Sequence, residues 1–154
     1  MKWEKMPGKY VIDSNIFIKI LLEEKDSPLA KDFFVHCLKR EIQLLVPSLF
    51  PYEVLYIAQK YGHDTQAVSD HLKKHKQLQV VELSTALIDK TIQIVEQSSQ
   101  PKSGFPSFYD SCYHALAILN DCDFITADKK HYEKTKKLGN IQLLSDMKSI
   151  IVIG

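Results

Sequence analysis

KYVIDSNIFIKILLEE, residues 9–24, decides the fold. Tyr10, Val11 and Ile12 form a short apolar run of β type that ends at Asp13. Ile16, Phe17, Ile20 and Leu21 then recur at helical spacing, which predicts an amphipathic helix. A strand that turns straight into a helix is the opening unit of an α/β fold. Outward from this unit the alternation repeats. Ser27 and Pro28 mark a helix start, and 29–39 reads as helix. The apolar run 42–46 reads as a second strand, stopped by Pro47. A helix over 48–61 tolerates Pro51 in its first turn, where the missing N–H has no partner to lose. Gly62 closes that helix in C-cap style.

The remaining chain reads as a polar helix over 65–75, a strand over 78–83, and a helix over 84–97. That helix carries Leu87, Ile88, Thr91, Ile92 and Val95 on one stripe. SSQPKSGFPS, residues 98–107, has two prolines, one glycine and four serines and is a loop. A helix over 108–119 leads into CDFIT, residues 122–126, as the fourth strand. A lysine-rich helix and a strand over 140–144 follow. The tail 150–153 reads as a sixth strand, antiparallel at an edge. This order predicts one domain over residues 1–154: a three-layer α/β/α sandwich around a mainly parallel sheet of about five strands.

Composition narrows the class. The chain has 154 residues, 45% hydrophobic and 25% charged, which is enough to bury a core without disulfides. No apolar run approaches the roughly 20 residues that span a bilayer. MKWEKMPGKY at the start lacks the apolar core of a signal peptide. Cys37, Cys112 and Cys122 have no CxxC spacing and sit among apolar residues, so a reducing cytoplasm is the expected compartment. The formal net charge is +1, which neither demands nor excludes nucleic acid. KKHYEKTKK, residues 129–137, is locally denser, with five lysines against Glu133. It reads either as a solvated helix face or as a phosphate-attracting rim.

In parallel α/β sheets ligands bind outside the carboxyl ends of the strands. Asp13 ends the first strand and Asp128 lies just past the fourth. Glu53 is in the first turns of the helix leaving strand two. Asp110 is in the first turn of the helix that must run back to feed strand four. Four carboxylates from four separate segments therefore converge on one edge. Clustered carboxylates repel, so one stays protonated unless a cation is present. Hard ions such as Mg²⁺ or Mn²⁺ take oxygen ligands of this kind. No Cys/His set has zinc spacing, and His114 reads as a packed or surface histidine. Each acid also has a local reading. Asp13 and Asp128 suit helix N-caps, and Ser107 with Asp110 fits a capping box. Glu53 alone could be an ordinary exposed helix residue.

Four strings in order resemble the PIN-domain family, in particular its small VapC-like toxins: VIDSNIFIKILL, PSLFPYEVLYIA, SFYDSCYHALAI and DFITADKKHY. The resemblance covers nearly the whole chain and implies a parallel α/β/α sandwich with Mg²⁺- or Mn²⁺-dependent endoribonuclease activity. It implies an acidic pocket of Asp13, Glu53, Asp110 and Asp128, with Asp13, Asp110 and Asp128 as the metal ligands. Asn15 and Thr126 would orient carboxylates or water by hydrogen bonds, and Lys129 and Lys130 would hold RNA phosphates. It also implies a protein antitoxin and a second copy of the chain as partners. The FPYE lead-in and the Pro/Gly loop over 98–107 depart from the family pattern.

Three other readings compete. A haloacid-dehalogenase-type phosphatase needs a second aspartate two residues after the first, where this chain has Asn15. A receiver-like signalling domain needs an acidic pair near the first strand end and a lysine at the last, and has neither here. A PIN fold that only binds RNA or protein is disfavoured by the complete acidic set.

Overall fold

Val11 and Ile12 sit without exposure at the centre of a five-stranded sheet. The computed structural model describes residues 8–153. The MKWEKMP segment, read above as part of a start without a signal-peptide core, lies outside the described residues. The strands are β1 (Lys9–Ile12), β2 (Gln43–Pro47), β3 (Leu78–Val81), β4 (Asp123–Thr126) and β5 (Ile141–Leu143). Their spatial order is β3-β2-β1-β4-β5 and every pairing is parallel. β1, β2 and β4 are almost continuously buried, as strands covered on both faces must be.

The helices are α1 (Ser14–Ile18), α2 (Ser27–Lys39), α3 (Phe50–Lys60), α4 (Thr65–Lys74), α5 (Thr85–Gln97), α6 (Phe108–Leu119), α7 (Lys129–Thr135) and α8 (Lys148–Ile153). Right-handed crossovers from β1 through β2 to β3 put α1–α4 on one face. The chain then reverses and crosses back to β4 and β5, which puts α5–α7 on the other. The result is the expected α/β/α sandwich. On the first face Phe17 of α1 meets Phe34 of α2 and Phe50 of α3 edge-on, at centroid distances of 6.0 and 5.8 Å. On the second face Tyr113 of α6 stacks on Phe124 of β4 at 5.8 Å.

Two expectations change. The first helix stops at Ile18 rather than running through Leu21. Its last turn tightens: Leu21 N–H reaches the Ile18 carbonyl, and Ser27 Oγ donates to the Leu22 carbonyl at 2.6 Å. Lys19 is held by Glu24 and Asp26, which folds the segment back on itself. The tail is helix α8 and not a sixth strand. It leaves a short 3₁₀ turn (Leu144–Met147) and packs against α2, with Ile151 on the core. A four-residue apolar run satisfies either state, and a helix meets its own backbone partners without a sheet edge. Gly62 has φ +75° and accepts the left-handed turn that ends α3. Among the described residues no helix is long and apolar enough to cross a membrane.

Candidate active site

The strand order reverses between β1 and β4, so the connections from their carboxyl ends diverge and open a crevice. Ile12 pairs with Ile125, which sets Asp13 beside Thr126. Asp13 is 2% exposed. Its Oδ1 accepts from the Ile16 N–H at 2.9 Å, capping α1, and its Oδ2 accepts from the Thr126 hydroxyl at 2.7 Å. The Thr126 hydroxyl in turn accepts from the Asp128 N–H at 3.0 Å. Asp128 caps α7 by accepting from the His131 N–H at 3.1 Å. One threonine thus locks the two aspartates in register across adjacent strands. The capping readings of Asp13 and Asp128 both hold, since one carboxylate has lone pairs for several partners.

Asp110 arrives from α6. Ser107 caps this helix, its hydroxyl accepting from the Tyr109 and Asp110 N–H groups at 3.1 and 3.4 Å. The Asp110 carboxyl is left facing the charges of Asp13, Asp128 and Glu53. Glu53 comes from the first turn of α3, on the opposite face of the sheet. Its Oε1 accepts from the Tyr113 hydroxyl at 2.6 Å, so α3 and α6 meet across the top of the sheet.

Electrostatics match this convergence. Burial, then the charges of Asp13, Asp128 and Glu53, push Asp110 from its ordinary 3.8 up to about 7. Asp13 is pushed up to about 6, mainly by burial and further by Asp128 and Glu53, against the pull of the Thr126 and Ile16 hydrogen bonds. Burial raises Glu53 too, and Tyr113 opposes it. Oxygen-only donors with mutual repulsion suit a hard divalent cation. Among the described residues no three of these groups are drawn into a ready coordination cluster.

Asn15 is exposed in the first turn of α1 and lines a hollow of about 280 Å³ with Lys19, Ile57, Tyr61 and Asp128. Lys129 and Lys130 open α7 and line a second hollow of about 610 Å³ with Gln100, Ser103 and Lys134. His114 is a packed residue: it is buried, hydrogen-bonds the Gly139 carbonyl at 2.8 Å, and lies against Phe124 and His131. Sequence reasoning missed Tyr113. Its position three residues after Asp110 puts it on the same helix face, but its partner Glu53 is 60 residues away.

A doubly covered parallel sheet with acidic side chains gathered at its switch point defines the class of α/β protein. The family model for the PIN domain matches residues 10–137, and the chain belongs to that family. No curated protein matches it in sequence. Its fold is similar to that of PAE2754 from Pyrobaculum aerophilum, with 21% identity, coverage of 99% of this chain and 95% of that one, and a TM-score of 0.64. It is also similar to VapBC2 from Rickettsia felis bound to a promoter DNA fragment (16% identity, 88% and 98% coverage, TM-score 0.65). A third similar structure is Mycobacterium tuberculosis VapC20, a sarcin-ricin loop cleaving toxin (10% identity, 80% and 93% coverage, TM-score 0.64). At these identities the likeness is one of fold.

Proposed function

We infer that this protein is a Mg²⁺- or Mn²⁺-dependent endoribonuclease. The observation that carries this reading is the gathering of acids at the sheet's switch point: Thr126 ties Asp13 to Asp128, Tyr113 brings Glu53 over from α3, and Asp110 is crowded by all three. Such crowding opposes folding at neutral pH and is relieved by a cation. Asp13, Asp110 and Asp128 would hold the ion. When bound, a divalent ion polarises a phosphoryl oxygen and lowers the pKa of water. Thr126 keeps Asp13 and Asp128 oriented. Tyr113 occupies Oε1 of Glu53 and leaves Oε2 to position a water. Asn15 lies where it can orient Asp128 or a water bound to it. Lys129 and Lys130 supply positive charge for neighbouring phosphates. In-line hydrolysis would leave 5′-phosphate and 3′-hydroxyl ends.

The test is purified protein with a mixed RNA pool, with and without Mn²⁺. The reading fails if wild type cuts no better than an Asp13→Asn/Asp110→Asn variant under any metal. The likeness to toxin–antitoxin structures supports a toxin whose partner is a protein antitoxin. Induced expression should then arrest growth, and the product of a neighbouring reading frame should relieve it. Three buried free thiols support a reducing cytoplasm as the compartment.

A further inference from the structure

The loop over 98–107 is the segment that the nuclease reading leaves unused, and it is built as a rigid element. Gln100 and Gly104 close an antiparallel bridge through two backbone hydrogen bonds of 2.8 and 2.9 Å. Gly104 takes φ +74°, which the turn requires. Ser103 Oγ donates to Gln100 Oε1 at 2.7 Å. Lys134 of α7 donates to the Ser103 carbonyl at 3.0 Å, so the turn is tied to the lysine-rich helix. Pro106 is buried and anchors the exit of the loop.

At the exit of this braced loop and on the first turn of α6 three aromatic side chains stand in solvent. Phe105 is 61% exposed, Phe108 49% and Tyr109 64%. Phe105 and Phe108 meet edge-on at 6.3 Å. Tyr109 immediately precedes Asp110, so the aromatic surface sits on the same first turn of α6 that carries this acid. Its other flank is the hollow lined by Lys129, Lys130, Lys134 and Glu133, whose carboxylate is paired with Lys136. Among the described residues neither Lys129 nor Lys130 forms an ion pair. Exposed rings where a braced turn enters α6, between lysines without ion pairs and the proposed cleavage site, match the chemistry of single-stranded nucleic acid. Lysines attract the backbone, and each base offers a π-face.

We propose that Phe105, Phe108 and Tyr109 form a base-stacking platform, which selects RNA whose bases beside the cut phosphodiester are unstacked. This rests on the nuclease reading for the location of the cut, but the platform can be tested without cleavage. The charge on its flank favours RNA over a protein partner. The pre-braced turn also lowers the ordering cost of binding.

The probe is a short single-stranded RNA carrying 2-aminopurine, whose fluorescence falls when it stacks. Binding is measured in EDTA and in Ca²⁺, for wild type, Phe105→Ala/Phe108→Ala and Lys129→Ala/Lys130→Ala. Both phenylalanines are exposed, so melting temperature should hold. Wild type should quench the probe, and the aromatic variant should lose the quench with roughly 5- to 150-fold of affinity per stacked base. Its salt dependence should stay that of wild type, whereas the lysine variant should show a shallower salt slope. A fully paired duplex of the same sequence should bind more weakly. Mn²⁺-dependent cleavage is followed in parallel. Aromatic-dependent binding without cleavage would support the platform and sink the nuclease reading. Unchanged quench and affinity in the aromatic variant would overturn the platform alone. Equal duplex affinity, or no RNA binding by wild type in either condition, would overturn it too. A changed oligomeric state with unchanged RNA affinity would assign the patch to a protein contact and likewise overturn it.

Discussion

Replacing Asp110 by asparagine should stabilise the metal-free protein while destroying its response to metal. Asp110 has its carboxyl pushed from 3.8 up to about 7 by burial and by three neighbouring acids. The sign follows from linkage. The folded group is raised above its unfolded value, so the folded state holds a proton that the unfolded chain releases. Its ionisation therefore costs stability at neutral pH, and the cost fades as pH falls from about 7 towards 3.8. The whole displacement corresponds to a ceiling of about 4 kcal/mol. Asp110 is only partly buried, and solvent screening brings this to roughly 2 kcal/mol. Asparagine keeps the size, removes the charge and can donate to Asp128. For a chain of this length that gain corresponds to a rise of about 4–8 °C in Tm. The assay is thermal and urea unfolding in EDTA at pH 7.5 and at pH 5, then at pH 7.5 with Mn²⁺. Asp110→Asn should be more stable in EDTA at pH 7.5, with less than half the gain left at pH 5. Wild type should gain stability with Mn²⁺ and the variant should gain little. No gain in EDTA, or an equal gain at both pH values, would refute the claim that crowded charge sets the stability of this site.

Tyr113→Phe removes the hydroxyl that donates to Glu53, and so should raise the Glu53 carboxyl further. The acid limb of the pH–rate profile should move to higher pH, with about 1–2 kcal/mol lost in urea unfolding. Thr126→Val deletes the hydroxyl shared by Asp13 and the Asp128 N–H. It should destabilise by about 1–3 kcal/mol and lower kcat more than it raises KM in RNA cleavage. His131 is buried and lowered from 6.5 to about 4, first by burial and then by His114. The unfolded chain takes up a proton at about 6.5 that the folded one refuses, so this group removes about 3 kcal/mol of stability as pH falls from 6.5 to 4. His131→Phe should erase that component in pH-resolved unfolding, and an unchanged pH dependence would contradict it.

Much of the architecture was legible because it is written in local pattern. The apolar run before Asp13, the turn residues of 98–107 and the periodicity of 84–97 each reflect a short stretch of backbone meeting its own needs. The helix over 108–119 came out with the expected bounds, because Ser107 is a strong cap. Local pattern failed where a few residues suit two states. The apolar tail became α8 because α2 offered it a surface, and α1 stopped at Ile18, where the Ile20 and Leu21 N–H groups reach back only three residues.

The sequence by itself determined that four acids lie at the ends of strands and the starts of helices, and that this edge is where a parallel sheet binds ligands. Only the tertiary structure decided which of them meet. The order β3-β2-β1-β4-β5 sets Asp13 next to Thr126 across 113 residues of chain, and the Tyr113 hydroxyl brings Glu53 over from the opposite face. It also fastened the 98–107 turn to Lys134 and set Phe105 against Phe108 at the start of the helix that carries Asp110. Periodicity and capping are properties of neighbours along the chain. Register, charge crowding and the faces that meet over a sheet edge depend on residues that only folding brings together.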